Sequence, residues 1–209
     1  MASRPAWTVR NGKVIVEYFE FAWNGGFAVV QKQKNITALH EQITEKYHEK
    51  ALEVSSKSME ELGRNIGAFS LKRNGVYIEN IFQAAKKYEN GGPFADLLEA
   101  APREAKRDER HLNSGKLTAF VMDGVEWPLN PMTAFYDYVY IKALTEQYGE
   151  NLDLGAYAWF TDIEFNPKKS INCQARSAAI YQLLQKEGCF DKVESMQEWI
   201  AFHKVHICG

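Results

Sequence analysis

Between Tyr77 and Glu89 the chain reads Tyr-Ile-Glu-Asn-Ile-Phe-Gln-Ala-Ala-Lys-Lys-Tyr-Glu, and its apolar positions recur at the helical period. Ile78, Ile81, Phe82, Ala85 and Tyr88 share one side of such a helix, a stripe that must be buried against a core. Glu79, Gln83 and Lys86 fall one turn apart on another side, and Asn90 continues their line. A carboxylate, an amide and an ammonium therefore stand in a row beside a core-facing stripe. Periodicity alone describes that row as the solvated face of an amphipathic helix. The alternative is that it forms one wall of a cleft.

The flanks of this stretch carry strong turn chemistry. Asn74-Gly75, within Arg73–Tyr77 and following Gly67–Leu71, is a strong turn signal, and Gly91-Gly92-Pro93 ends the helix and starts another over Phe94–Ala100. Pro102 suits the first position of a helical run over Arg103–Leu112. Leu117–Met122, Asp123-Gly124 and Val125–Leu129 form the clearest hairpin. Upstream, residues 13–22 read as a strand, Trp23-Asn-Gly-Gly26 as a turn and Phe27–Gln31 as the partner strand. A helix is expected over Thr37–Ala51 and a short strand at Leu52–Val54. Ser58-Met-Glu-Glu61 has capping-box spacing and predicts a short helix towards Asn65. Residues 131–148 are helical and apolar on most sides, so that helix is expected to be buried. Tyr157–Asn172 is irregular, a helix runs from about Ile171 to Glu187, and Ser195-Met-Gln-Glu198 caps a last one. The fold class that results is α+β, mainly α with short β hairpins. Nothing alternates as strand–helix–strand, which argues against a Rossmann sheet.

Length and composition are compatible with one core. At 209 residues and 45% hydrophobic, the chain is expected to form a single domain. Its parts are an N-terminal hairpin and helix (1–54), a motif-bearing core (55–187) and a C-terminal helix (188–209). A net charge of −2 means that any nucleic-acid contact must come from a local basic patch. The N-terminal residues lack the apolar run of a signal peptide, and no stretch is long enough to span a membrane. Three cysteines at irregular spacing do not read as a disulfide framework, so the cytoplasm is the expected compartment.

Three further stretches bear on chemistry. In Ser170-Ile-Asn-Cys-Gln-Ala-Arg176, Asn172 and Arg176 head a face that continues through Ala179, Ile180 and Leu183. Ser170 is a candidate N-cap, and free N–H groups in a first helical turn favour an anion such as a diphosphate. The equal alternative is that Arg176 pairs with a buried carboxylate while Asn172 satisfies a loop. Arg103, Lys106, Arg107 and Arg110 share a helical face that either holds phosphates or is simply solvated. Asp162 and Glu164 are a candidate carboxylate pair. His203, His206, Cys208 and Cys189 match no standard zinc spacing, and no metal or cofactor is expected. P-loop, dinucleotide-binding, nucleophile-elbow and zincin motifs are all missing from the sequence.

Taken in order, these pieces resemble the NADAR family (the YbiA-like fold). The matching segments are Ile66-Gly-Ala-Phe-Ser70, Glu79-Asn-Ile-Phe-Gln-Ala-Ala-Lys86, Ala105-Lys-Arg-Asp-Glu-Arg110 and Asn172-Cys-Gln-Ala-Arg176. A narrower likeness, to NADAR proteins that accompany DarT toxins, adds Gln31-Lys-Gln-Lys34, Ser55-Ser-Lys-Ser58, Glu89-Asn-Gly-Gly-Pro93, Glu126-Trp-Pro-Leu129 and Phe160–Asn172. Asn80, where the wider family usually has His, and Thr161-Asp162-Ile163, in place of a Trp-Gly element, set the chain apart from the riboflavin-pathway branch.

The resemblance implies an N-glycosidase that removes ADP-ribose from guanine in DNA, with RNA as the alternative, and that counters a cognate DarT-type toxin. It implies Glu79 as the group facing the ribosyl bond and Lys86, with Lys34 as rival, as an amine for covalent attack or phosphate binding. Gln83, Asp162, Arg110, Arg176 and Asn172 would hold substrate, and Trp127 would stack on the base. The other readings are an N-glycosidase acting on a phosphorylated riboflavin precursor and a module that binds ADP-ribose without turnover.

Overall fold

A computed structural model describes residues 1–207, so Cys208 and its part in the zinc grouping lie outside the described residues. The chain begins with a long antiparallel hairpin, β1 (Ala2–Arg10) and β2 (Lys13–Phe21). Asn11 (φ 51°) and Gly12 (φ 69°) turn it with the left-handed backbone that matches strand twist. The expected pairing of residues 13–22 with 27–31 is thereby corrected. The partner of β2 precedes it, and Val29 already opens helix α1 (Val29–Tyr47).

No alternation marks β1 because Pro5–Val9 are all buried, as in a strand covered on both faces. Pro5 stands where its missing N–H is harmless, since β9 (Trp159–Thr161) pairs only with Ala6–Thr8. The full sheet runs β2-β1-β9-β3, with β3 (Ala51–Glu53) parallel to β9. One face presents Ala6, Phe19, Phe21 and Trp159 to Ile36, Leu39 and Ile43 of α1. The other presents Trp7, Val9, Leu52 and Phe160 to the main core, built on α6 (Ala134–Tyr148) and α7 (Gln174–Glu187). As expected, α6 is buried along most of its length.

After β3 comes the short α2 (Glu61–Asn65), then the hairpin of β4 (Lys72–Arg73) and β5 (Val76–Tyr77) around Asn74-Gly75. Helix α3 covers only Ile78–Ala84, not the stretch to Glu89. Lys86–Tyr88 is instead strand β6, paired antiparallel with β7 (Leu117–Met122), which continues into β8 (Val125–Trp127). The Ala85 carbonyl, which a longer helix would use internally, accepts from Val121 N at 2.7 Å. Residues 95–98 make a single 3-10 turn. Pro102 does open a helix, α4 (Pro102–Arg107), but the chain breaks at Asp108 before α5 (Arg110–Asn113). Hence the basic residues from Arg103 to Arg110 do not share one helix. Ser195 caps α8 (Met196–His206) by accepting from Glu198 N, as its spacing predicts. Among the described residues, no helix is long and apolar enough to cross a membrane.

Candidate active site

Where α3 gives way to β6, its polar side opens onto a cavity of about 420 Å³, within the usual range for small-molecule sites. Glu79, Gln83 and Lys86 all line it, although Lys86 has left the helix. The geometry is a relay. Gln83 Nε2 donates to Glu79 Oε1 at 2.7 Å, and Lys86 Nζ donates to Gln83 Oε1 at 2.6 Å. Lys106 Nζ, from α4, stands 3.6 Å from the same Glu79 oxygen. Glu79 and Gln83 are each only 4% exposed, so this row belongs to an interior wall and not to a solvated face. The Lys86 ammonium also lies over the Phe82 ring, 5.1 Å from its centroid. Burial lowers the Lys86 pKa to about 8, with Glu79 opposing the shift and Lys106 adding to it.

The facing wall comes from the segment after β9. Asp162 Oδ1 accepts from Glu164 N at 3.0 Å and Phe165 N at 3.2 Å, and Oδ2 accepts from Gln174 Nε2 at 3.0 Å. Gln174 also braces the wall to the 66–70 loop, since its Oε1 accepts from Ala68 N at 2.6 Å. Beneath Asp162, buried Glu53 accepts from Ser55 Oγ, Thr161 Oγ1 and Ile163 N. Burial first, and then the Glu53 carboxylate, raises Asp162 above the ordinary carboxylate range, against the hydrogen bonds from Gln174 and Glu164. Asn172 lines the cavity with a buried Oδ1 that has no partner among the described residues. Tyr136, from α6, also borders it, and burial lifts its phenol well above the ordinary value, with the charge of Glu79 adding to the shift. Lys106 and Lys169 supply positive charge to the lining.

Four expected site residues are elsewhere. Arg110 is held by Asp108 (Nε to Oδ1, 2.8 Å) and Asp96 (Nη2 to Oδ2, 2.6 Å), because the break at Asp108 turns it off the α4 face. Trp127 is a core residue, 3% exposed, packed against Phe135 and Tyr138 with centroids at 5.4 and 4.5 Å. Arg176 pairs with buried Asp137 at 3.2 Å and donates to the Ile171 carbonyl at 3.3 Å, so it holds the loop bearing Asn172 and does not border the cavity. Lys34 is exposed on α1, whereas Lys32, half a turn earlier, reaches Glu164 on the cavity rim at 3.0 Å. Ser170 does not cap α7, whose N-cap is Cys173. Asn80, the residue departing from the family pattern, points away and clamps the Leu97 and Ala100 carbonyls, both at 2.7 Å.

Sequence reasoning assigned no site role to Tyr136, Lys169, Gln174 or the supporting Glu53, and of the basic stripe offered for phosphates only Lys106 lines the cavity. Lys106 had a signal in its basic stripe. Tyr136 had none, because it lies in a helix apolar on nearly every side.

A small α+β protein with a charge-lined cleft, Glu79 and a desolvated lysine on one wall and Asp162 on the other, has the arrangement of a candidate active site. The chain belongs to the family of DarT1-associated NADAR antitoxins, whose pattern matches residues 2–207. No curated protein matches the chain.

Proposed function

We propose that the protein is an N-glycosidase that releases ADP-ribose from ADP-ribosylated guanine in nucleic acid, reversing the modification made by a DarT-type toxin. The observation that carries this reading is the Glu79–Gln83–Lys86 relay on the wall of the cleft, in a chain of an antitoxin family tied to DarT1. Breaking the ribosyl C1–N bond leaves the electron pair on the guanine nitrogen and positive charge on the sugar. The Glu79 carboxylate stabilises that charge or takes a proton from water as the water oxygen bonds to C1; the guanine nitrogen gains the proton. Lys86, with its pKa near 8, is about one-tenth neutral at pH 7. In a covalent route its amine, in place of water, bonds to C1 as the C1–N bond breaks and guanine leaves with a proton; the ribose ring then opens to a Schiff base, which water hydrolyses to ADP-ribose and free lysine. Lys106 and Lys169 hold the diphosphate, and Asn172 Oδ1 accepts from a ribose hydroxyl.

The test is to incubate purified protein with an oligonucleotide bearing ADP-ribosylated guanine and measure free ADP-ribose and restored guanine by mass spectrometry. No release at protein in excess of substrate rejects the activity, and saturable ADP-ribose binding without turnover marks a binding module instead. Borohydride added during turnover should leave a reduced ribosyl adduct on Lys86; an unlabelled Lys86 removes the covalent route and leaves the ammonium as a phosphate ligand.

A further inference from the structure

The loop joining β2 to α1 is built unlike an ordinary connection. Its base is fixed, because buried Asn35 of α1 accepts from Asn24 N at 2.7 Å and donates to Asn24 O at 3.0 Å. Its tip is bare: Phe27, following Gly25-Gly26, is 98% exposed, and Val30 is 60% exposed just behind it. At the foot of the loop, Trp23 has the Arg4 guanidinium 4.8 Å and the Lys32 ammonium 5.5 Å from its ring centroid. Among the described residues Arg4 makes no ion pair, and its buried Nε has no hydrogen-bond partner. Exposed Lys34 is likewise outside every ion pair among the described residues. This edge adjoins the cleft, since Lys32 reaches the rim residue Glu164 at 3.0 Å and Asp162 acts electrostatically on Arg4.

We infer that Trp23, Phe27, Arg4 and Lys34 form a platform for the single-stranded nucleic acid that flanks the modified base. The inference rests on the proposed activity for what occupies the cleft, but the platform makes contacts of its own. Unpaired cations beside an exposed aromatic ring are what a strand requires: the cations neutralise phosphates and the Phe27 ring accepts a base of any sequence, while half-buried Trp23 holds the Arg4 guanidinium over its ring. Unmatched cations favour a polyanion over a protein surface, for which the apolar tip alone would have served.

The experiment compares two substrates, the ADP-ribosylated guanosine nucleoside and a single-stranded oligonucleotide carrying the same modification. Phe27→Ser, Trp23→Ala and Arg4→Gln are each expected to lower kcat/KM on the oligonucleotide about tenfold and to leave the nucleoside unchanged. Phe27→Ser touches nothing in the core, so its loss cannot be ascribed to unfolding. Equal rates with wild type on the oligonucleotide, or equal losses on both substrates, overturn the platform. If wild type turns over neither substrate, the activity is wrong, and fluorescence anisotropy with an unmodified oligonucleotide still decides the platform. Salt-dependent binding weakened by the three substitutions supports it, and binding that the substitutions leave intact overturns it. A Phe27→Ser protein that keeps oligonucleotide binding but no longer binds purified DarT-type toxin also overturns it, assigning the tip to a protein partner.

Discussion

Lys86 stands where a helix ends and a strand begins, and that position explains its chemistry. Held in β6 with its ammonium turned back to Gln83, it is largely withdrawn from water yet still borders the cleft. Its pKa of about 8 lies below the ordinary 10.5. Between those values the unfolded chain holds a proton that the folded protein lacks, so this residue makes stability rise with pH across that window. Lys86→Met is therefore expected to raise the urea midpoint at pH 7 relative to wild type while abolishing turnover. By pH 10 the stability advantage should have shrunk; an advantage that grows instead would mean the amine is not desolvated. Glu79→Gln keeps the shape and the bond from Gln83 but removes the charge. Its kcat should fall by roughly 10²- to 10⁴-fold, the usual contribution of a positioned acid or base, measured in the ADP-ribose release assay.

At the scale of elements, two contacts hold the pieces that frame the cleft. Asn80, on the side of α3 away from the cleft, ties down the 95–101 segment through two backbone carbonyls. Asn80→Ala leaves both carbonyls without that donor and should cost about 1–3 kcal/mol in urea unfolding, with kcat changed far less than by Glu79→Gln. A kcat loss as large as that of Glu79→Gln would place Asn80 in the chemistry. Gly63 lets α2 approach β3 closely, because a Cβ there would sit 2.0 Å from the Glu53 carbonyl and 2.5 Å from Ser58 Oγ. Gly63→Ala must push backbone apart beneath the Glu53–Asp162 cluster and should cost about 3 kcal/mol or more. An unaltered unfolding midpoint would show that α2 yields freely.

Across the whole molecule, α1, the sheet and the cleft floor meet at one buried polar junction. His40 Nε2 and Thr161 Oγ1 are 2.8 Å apart, and Thr161 donates to Glu53 at 2.7 Å, so the histidine supplies the proton of the first bond. Burial lowers the His40 pKa to about 4 from the ordinary 6.5. As pH falls through that interval the unfolded chain gains a proton that the folded protein refuses, and this contribution to stability is lost. Stability measured from pH 7 to pH 4 should thus drop more steeply in wild type than in His40→Leu. Parallel curves would mean that the imidazole titrates normally.

Some local signals were read correctly, whereas the turn at Trp23–Gly26 and the caps at Ser58 and Ser170 were not, since α1 opens at Val29 and the N-caps of α2 and α7 are Glu60 and Cys173. The hairpins at Asn74-Gly75 and Asp123-Gly124, the buried helix α6 and the cap at Ser195 depend on turn geometry and periodicity within a few residues. The row of Glu79, Gln83 and Lys86 was legible as a row, though not as helix to its end, because the ladder partner of Lys86 lies on β7, more than thirty residues on. Strand β1 was not legible, since a strand covered on both faces has no alternation to show. Nor was the fate of Arg110, Arg176 and Trp127. Each has a side chain suited to a ligand, and only the fold decides whether a carboxylate, a carbonyl or an aromatic core reaches it first. The sequence by itself determined the α+β class, the family likeness and the polar row of Glu79, Gln83 and Lys86. The tertiary structure decided that this row faces Asp162 and Asn172 across a cavity, because walls drawn from segments some eighty residues apart exist only once the core between them has packed.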